Sequence, residues 1–145
     1  MSPMFRSILF ASAVGLALGT APAMAATLKF TADLEAVSET PPTDSTGSGL
    51  ATVTYNTTSK KLGWVVTYKG LTGKATAAHF HGPAGVGVKA PPVVPIKGNL
   101  KSPIKGSATL TAQQAADLQA GMWYFNVHTA KYPEGEIRGQ VLAAQ

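Results

Sequence analysis

Hydrophobic and polar residues alternate along most of the chain with a period of two. Leu28, Phe30, Ala32, Leu34 and Ala36 are interleaved with Lys29, Thr31, Asp33 and Glu35. Successive side chains of a strand point to opposite faces, so this alternation predicts a strand with one buried face. Ala51, Val53 and Tyr55 repeat the pattern, as do Leu62, Trp64, Val66 and Tyr68 beyond a turn at residues 56–59. The two runs read as a hairpin. Further strands are expected at residues 75–81, 104–110, 122–128 and 136–142. Residues 39–49 form a Pro/Thr/Ser/Gly loop, 82–95 read as a long loop or an edge strand, and 132–135 as a turn. One segment breaks the period. Thr111-Ala112-Gln113-Gln114 has the Thr-x-x-Gln form of a capping box, Ala115, Ala116 and Leu118 follow it, and Gly121 can end the turn. That predicts one short helix near residues 112–120. Seven to eight short strands and a single helix predict an all-β fold, an antiparallel β-sandwich with a barrel as the alternative.

The start of the chain has a different character. Residues 1–6 are weakly basic, 7–19 are apolar, and Ala23-Met24-Ala25 is a small-x-small cleavage pattern. The apolar run falls short of the ~20 residues that span a bilayer. Residues 1–25 therefore read as a signal peptide cut after Ala25, and 26–145 as one exported domain in the periplasm or outside the cell. No later apolar run predicts a transmembrane segment. With no cysteine in the chain, disulfides, thiolate chemistry and Cys-based zinc sites are excluded. At 45% hydrophobic and 13% charged residues, the chain has the makings of a core and is not a disordered segment. The net charge of +5 comes from scattered lysines without interleaved aromatic residues, which argues against nucleic acid as a partner.

The three histidines fall in two short segments, His79-Phe80-His81 and Asn126-Val127-His128. Residues two apart on a strand share a face, so His79 and His81 can present two imidazoles to one point. His128 supplies a third if its strand is a neighbour. Three neutral imidazoles suit Zn or Cu. The alternative is that each histidine serves the fold through a hydrogen bond and holds no metal. Glu136 and Arg138 share a face of the last strand, opposite the Asn126 and His128 face. Asn126, Glu136 and Arg138 are therefore expected around the histidines, Glu136 orienting an imidazole or joining Arg138 in an ion pair or hydrogen-bond network. Catalytic arrangements find little support. Gly82, Gly85 and Gly87 lack the Lys-Ser/Thr of a phosphate loop, and Glu134, Glu136 and Asp33 lack the aromatic platform of a glycosidase.

His79-Phe80-His81-Gly82-Pro83-Ala84, Trp123-Tyr124-Phe125-Asn126-Val127-His128-Thr129 and Pro133-Glu134-Gly135-Glu136-Ile137-Arg138-Gly139-Gln140-Val141 together resemble the CHRD domains, named after chordin and found singly in exported bacterial proteins. Ala32-Asp33-Leu34 and Glu39-Thr40-Pro41-Pro42 look like the family's first strand and its Pro-containing loop. The resemblance extends over residues 27–143. It implies a non-catalytic binding module with an unknown envelope or extracellular protein as partner, taken here as a monomer. The His-x-His strand is also similar to the copper-ligand strand of Cu,Zn superoxide dismutases, which are Greek-key, Ig-like sandwiches. Three histidines leave no second cluster for zinc, so that similarity extends to the framework and not to the dismutase reaction.

Overall fold

Each alternating run forms a strand. The computed structural model describes residues 24–145. The leader pattern occupies residues 1–25, and 1–23 of these lie outside the described residues. The elements in chain order are β1 (Thr27–Glu35), β2 (Ser48–Asn56), β3 (Lys61–Lys69), β4 (Ala75–His81), β5 (Pro92–Pro95), β6 (Ile104–Thr109), α1 (Ala112–Gln119), β7 (Trp123–Thr129) and β8 (Ile137–Ala143). The Gly- and Pro-rich stretch resolves into both of its expected forms, a loop over 82–91 and then the four-residue β5.

All strand pairs are antiparallel, in one sheet of order β5-β4-β7-β8-β1-β2-β3-β6. The sheet bends round on itself. Trp64 of β3 meets the ring of Phe80 of β4 edge-on at 5.5 Å, although the two strands lie near opposite ends of that order. The result is a sandwich whose two halves belong to one nearly closed sheet. The open seam lies between edge strands β5 and β6, which line a shared cleft beside Trp64. Pro92 and Pro95 suit an edge, because proline has no N–H to give to a further strand.

The inward positions are those the alternation predicts. Phe30, Ala32 and Leu34, then Ala51, Val53 and Tyr55, then Leu62, Trp64 and Val66 meet Phe80, Trp123, Phe125, Val127, Ile137 and Val141 in one core. Phe80 sits at its middle, with Phe125 at 4.8 Å and Trp123 at 5.8 Å between ring centroids. α1 closes the core with Ala115 and Leu118. Its capping box is complete: the Thr111 hydroxyl accepts from Gln114 N–H at 3.2 Å, and Gln114 Oε1 accepts from Thr111 N–H at 2.9 Å. Gly121, at φ +71°, turns the chain out of the helix.

One strand departs from a half-buried pattern. Every residue of β7 is buried, including Tyr124, Asn126 and His128 on the face away from the core. Loop 82–91 lies over that outer face and is held there by hydrogen bonds. Ala84 N–H donates to Met122 O at 2.8 Å, Gln140 Nε2 to Ala84 O at 2.8 Å, and Arg138 to Val88 O at 2.7 Å. A polar strand face is thereby enclosed.

Candidate metal centre

The neighbouring strands β4 and β7 assemble the histidines. Their register places His79 opposite Asn126 and His128 opposite Ala77. Because Ala78 and Phe80 turn into the core, His79 and His81 turn outward with Asn126 and His128. The three imidazoles each offer a ring nitrogen, and these atoms lie within 4.8 Å of one another. His79 Nδ1 stands 3.1 Å from His128 Nε2. Two donors sharing a Zn or Cu ion at 2.0–2.1 Å are separated by roughly 2.9–3.4 Å for bond angles of about 90–110°. That pair already has the spacing of a shared ion, and the widest gap must close by roughly 0.7 Å even for donors on opposite sides of the ion.

The far side of two rings is tied to the backbone. His81 Nδ1–H donates to Ala90 O at 2.8 Å, and His128 Nδ1–H donates to Pro133 O at 2.9 Å. A carbonyl can only accept, so these contacts fix the tautomer and leave both Nε2 lone pairs facing inward. The His81 ring also lies flat on Tyr124, at 4.6 Å and 3° between planes, and the Arg138 guanidinium sits 3.4 Å from the centroid of the Tyr124 ring. Burial lowers His79 to about 4, with the neighbouring His128 and His81 adding to the effect. Burial also lowers His81, opposed by its bond to Ala90 O and by the nearby Asn126 oxygen. Neutral imidazole is the form that ligates a metal.

Asn126 stands at the centre. Its Oδ1 is 2.9 Å from His81 Nε2 and 2.9 Å from His128 Nε2. Arg138 borders the same cleft of about 210 Å³, along with Lys89 and Glu39. Glu136 does not reach it by a hydrogen bond. Its carboxylate accepts from Ser45 Oγ at 2.6 Å, Thr72 N–H at 2.8 Å, Thr72 Oγ1 at 2.7 Å and Thr129 Oγ1 at 2.5 Å. Burial raises this carboxyl, but those bonds together hold it below the ordinary carboxylate range. The expectation that Glu136 orients an imidazole is corrected on this point. Four donors compete for the carboxylate, while the His128 N–H that it would accept is already given to Pro133. Nor does an ion pair join Glu136 to Arg138: among the described residues the ion pairs are Lys89–Glu134 and Lys131–Asp44, both exposed.

Glu39, read from the sequence only as part of a Pro-containing loop, also lines the cleft. It is buried at 7% exposure, its Oε1 has no hydrogen-bond partner, and burial pushes the carboxyl up to about 7 against the pull of Arg138. No spacing links it to a histidine; loop 36–43 carries it in. Gly135, at φ +128°, makes room, since a Cβ there would meet Glu39 Oε1 and come within 2.8 Å of Asn126 Nδ2.

The family model for the CHRD domain matches residues 30–141, a span holding every residue of this cleft. The chain belongs to the CHRD domain family. No curated protein and no solved structure matches it. What this CHRD domain does must therefore be argued from its own residues. Among those described, no helix is long and apolar enough to cross a membrane.

Proposed function

We propose that this CHRD domain is an exported, monomeric, non-catalytic binding module that holds one Zn or Cu ion through His79, His81 and His128. One observation supports the reading above the rest. Two imidazoles have their Nδ1–H groups given to Ala90 O and Pro133 O, so their Nε2 lone pairs converge with the third ring nitrogen within 4.8 Å. Backbone acceptors behind the rings are the usual partners of metal-bound histidines, since they fix ring orientation and raise basicity. The leader pattern at residues 1–25 supports export.

The test compares chelated protein with protein given one equivalent of Zn²⁺ or Cu²⁺. At a hundredfold excess over Kd, binding to the folded state adds about 2.7 kcal/mol, and the melting temperature rises with it. His81→Ala abolishes the rise. Equal melting of chelated and loaded wild type overturns the reading. A second reading has its own observation: the His79–His128 and His–Asn126 contacts join the rings into one polar network. If the histidines serve only the fold or a partner protein, His81→Ala destabilises the domain equally with and without chelator.

A further inference from the structure

We propose that Asn126 Oδ1 is a fourth donor to the ion, and that Glu39 is the positioning residue that aims it. The inference rests on the metal reading above. It begins with a conflict of lone pairs. His81 and His128 have each given Nδ1–H to a carbonyl, so a neutral ring carries no proton on Nε2. Both Nε2 atoms nevertheless lie 2.9 Å from Asn126 Oδ1. An amide oxygen has no proton to give either. Electron-rich atoms in a buried site repel one another unless something positive lies between them. A cation bonded to all three removes the conflict.

Three of the distances fit that arrangement, and the widest gap between ring nitrogens, 4.8 Å, has to close by roughly 1.4 Å for a tetrahedral angle. The two separations of 2.9 Å and the 3.1 Å between His79 Nδ1 and His128 Nε2 lie within the roughly 2.9–3.4 Å expected for adjacent donors on one ion. The other end of the amide explains its orientation. Asn126 Nδ2 and Glu39 Oε1 approach the same point beside Gly135, where a Cβ would meet both, and that Oε1 has no hydrogen-bond partner. The loop that carries Glu39 is anchored in turn: Glu39 N–H donates to Ala36 O at 3.2 Å, and Thr43 N–H to Ala36 O at 3.1 Å. Loop 36–43 thus holds a carboxylate against the amide nitrogen, and the amide oxygen is turned to the histidines.

The consequence concerns the class of site. Three imidazoles alone leave a tetrahedral ion one open position, as in catalytic zinc sites, whereas four protein donors close it. A closed N3O set keeps or carries a divalent ion. Without thiolate or thioether it favours Zn²⁺ or Cu²⁺ over Cu⁺.

Cobalt provides the readout, since Co²⁺ occupies zinc sites and its visible bands report coordination number and donor type. Wild type takes up one Co²⁺ with the intense bands of a four-coordinate site. Asn126→Leu weakens Co²⁺ and Zn²⁺ binding by roughly 10–100-fold and changes the spectrum, and Asn126→Asp, which keeps an oxygen donor, retains both. Glu39→Leu shifts the spectrum and affinity in the same direction, and Glu39→Gln restores them, because a Gln oxygen still accepts from Nδ2. Chelated melting curves identify any variant that fails to fold, in which case the Glu39 pair decides. If wild type binds one Co²⁺ and Asn126→Leu, or Glu39→Leu in its place, keeps both the affinity and the bands, this inference falls while the three-histidine reading stands. If wild type binds none of Co²⁺, Zn²⁺ and Cu²⁺, both fall.

Discussion

Replacing Glu136 separates a role in the fold from a role in the cleft. Its carboxylate is fully buried and accepts four hydrogen bonds, three from hydroxyls and one from the Thr72 backbone. Glu136→Leu keeps most of the volume but takes the charged acceptor from buried Thr129, half-buried Ser45 and exposed Thr72, and a bond to a charged group contributes about 1.5–3 kcal/mol where water cannot replace it. Allowing for hydroxyls that rotate to other partners, the loss is about 3–5 kcal/mol. That is a large part of the ~5–15 kcal/mol by which domains of this kind are stable. Glu136→Gln keeps one oxygen, and its NH₂ meets hydroxyls that can accept as well as donate, so it costs about 1–2 kcal/mol. The sign with pH follows from the lowered carboxyl. The unfolded chain takes up this proton first as pH falls below about 4.5, so the stabilisation is complete above that value and drains away through the lower folded-state value. Urea unfolding at pH 7, repeated down to pH 3, measures both effects. Glu136→Gln flattens the acid limb, and neither variant changes Zn²⁺ affinity in molecules that remain folded. A loss below about 1 kcal/mol for Glu136→Leu refutes the hub, and a tenfold weaker Zn²⁺ affinity in Glu136→Gln returns this residue to the metal centre.

Two further outcomes are expected. Phe80→Ala removes a fully buried ring that touches Trp64, Trp123 and Phe125, and chemical denaturation followed by tryptophan fluorescence registers a loss of about 3–5 kcal/mol; a loss near 1 kcal/mol contradicts the wrapped core. In chelated protein, Glu39 and His79 act with opposite signs. The raised Glu39 carboxyl weakens the fold as pH climbs from 4.5 to about 7, and the lowered His79 weakens it as pH drops from 6.5 to about 4. Glu39→Gln removes only the first, so its stability falls more steeply than wild type between pH 6.5 and 4.5, and parallel curves contradict the assignment.

The inward faces of the strands were legible because burial on one side of a sheet imposes a period of two, and Phe30, Val53, Trp64 and Phe125 keep it. The helix was legible because the capping box is local in sequence. His79 and His81 sharing a face follows from the same period. His128 needed one more fact, that β7 pairs with β4, and this is a long-range register. Glu39 and the fate of Glu136 were out of reach for a related reason. Their partners lie in loops, and loops have no period; Ser45 and Thr72 approach Glu136 across separations of 91 and 64 residues.

Alternation does not reveal what covers a strand. Asn126 and His128, interleaved with Phe125 and Val127, lie on the outer face of β7, yet that face is buried. Burying polar groups is tolerable only if each finds a partner, and the cover supplies several of them. Ala90 O and Val88 O from loop 82–91 receive His81 and Arg138, and Pro133 O from the β7–β8 turn receives His128. Covering loops must supply such carbonyls wherever they bury an imidazole N–H. Here the partners they give occupy one nitrogen of two rings and leave the other turned toward a common point. The same contacts that satisfy the buried face therefore leave the two Nε2 lone pairs on the cleft, where the proposed ion would take them. Satisfaction of the buried face and readiness to bind are one arrangement, so variants that move loop 82–91 weaken both together.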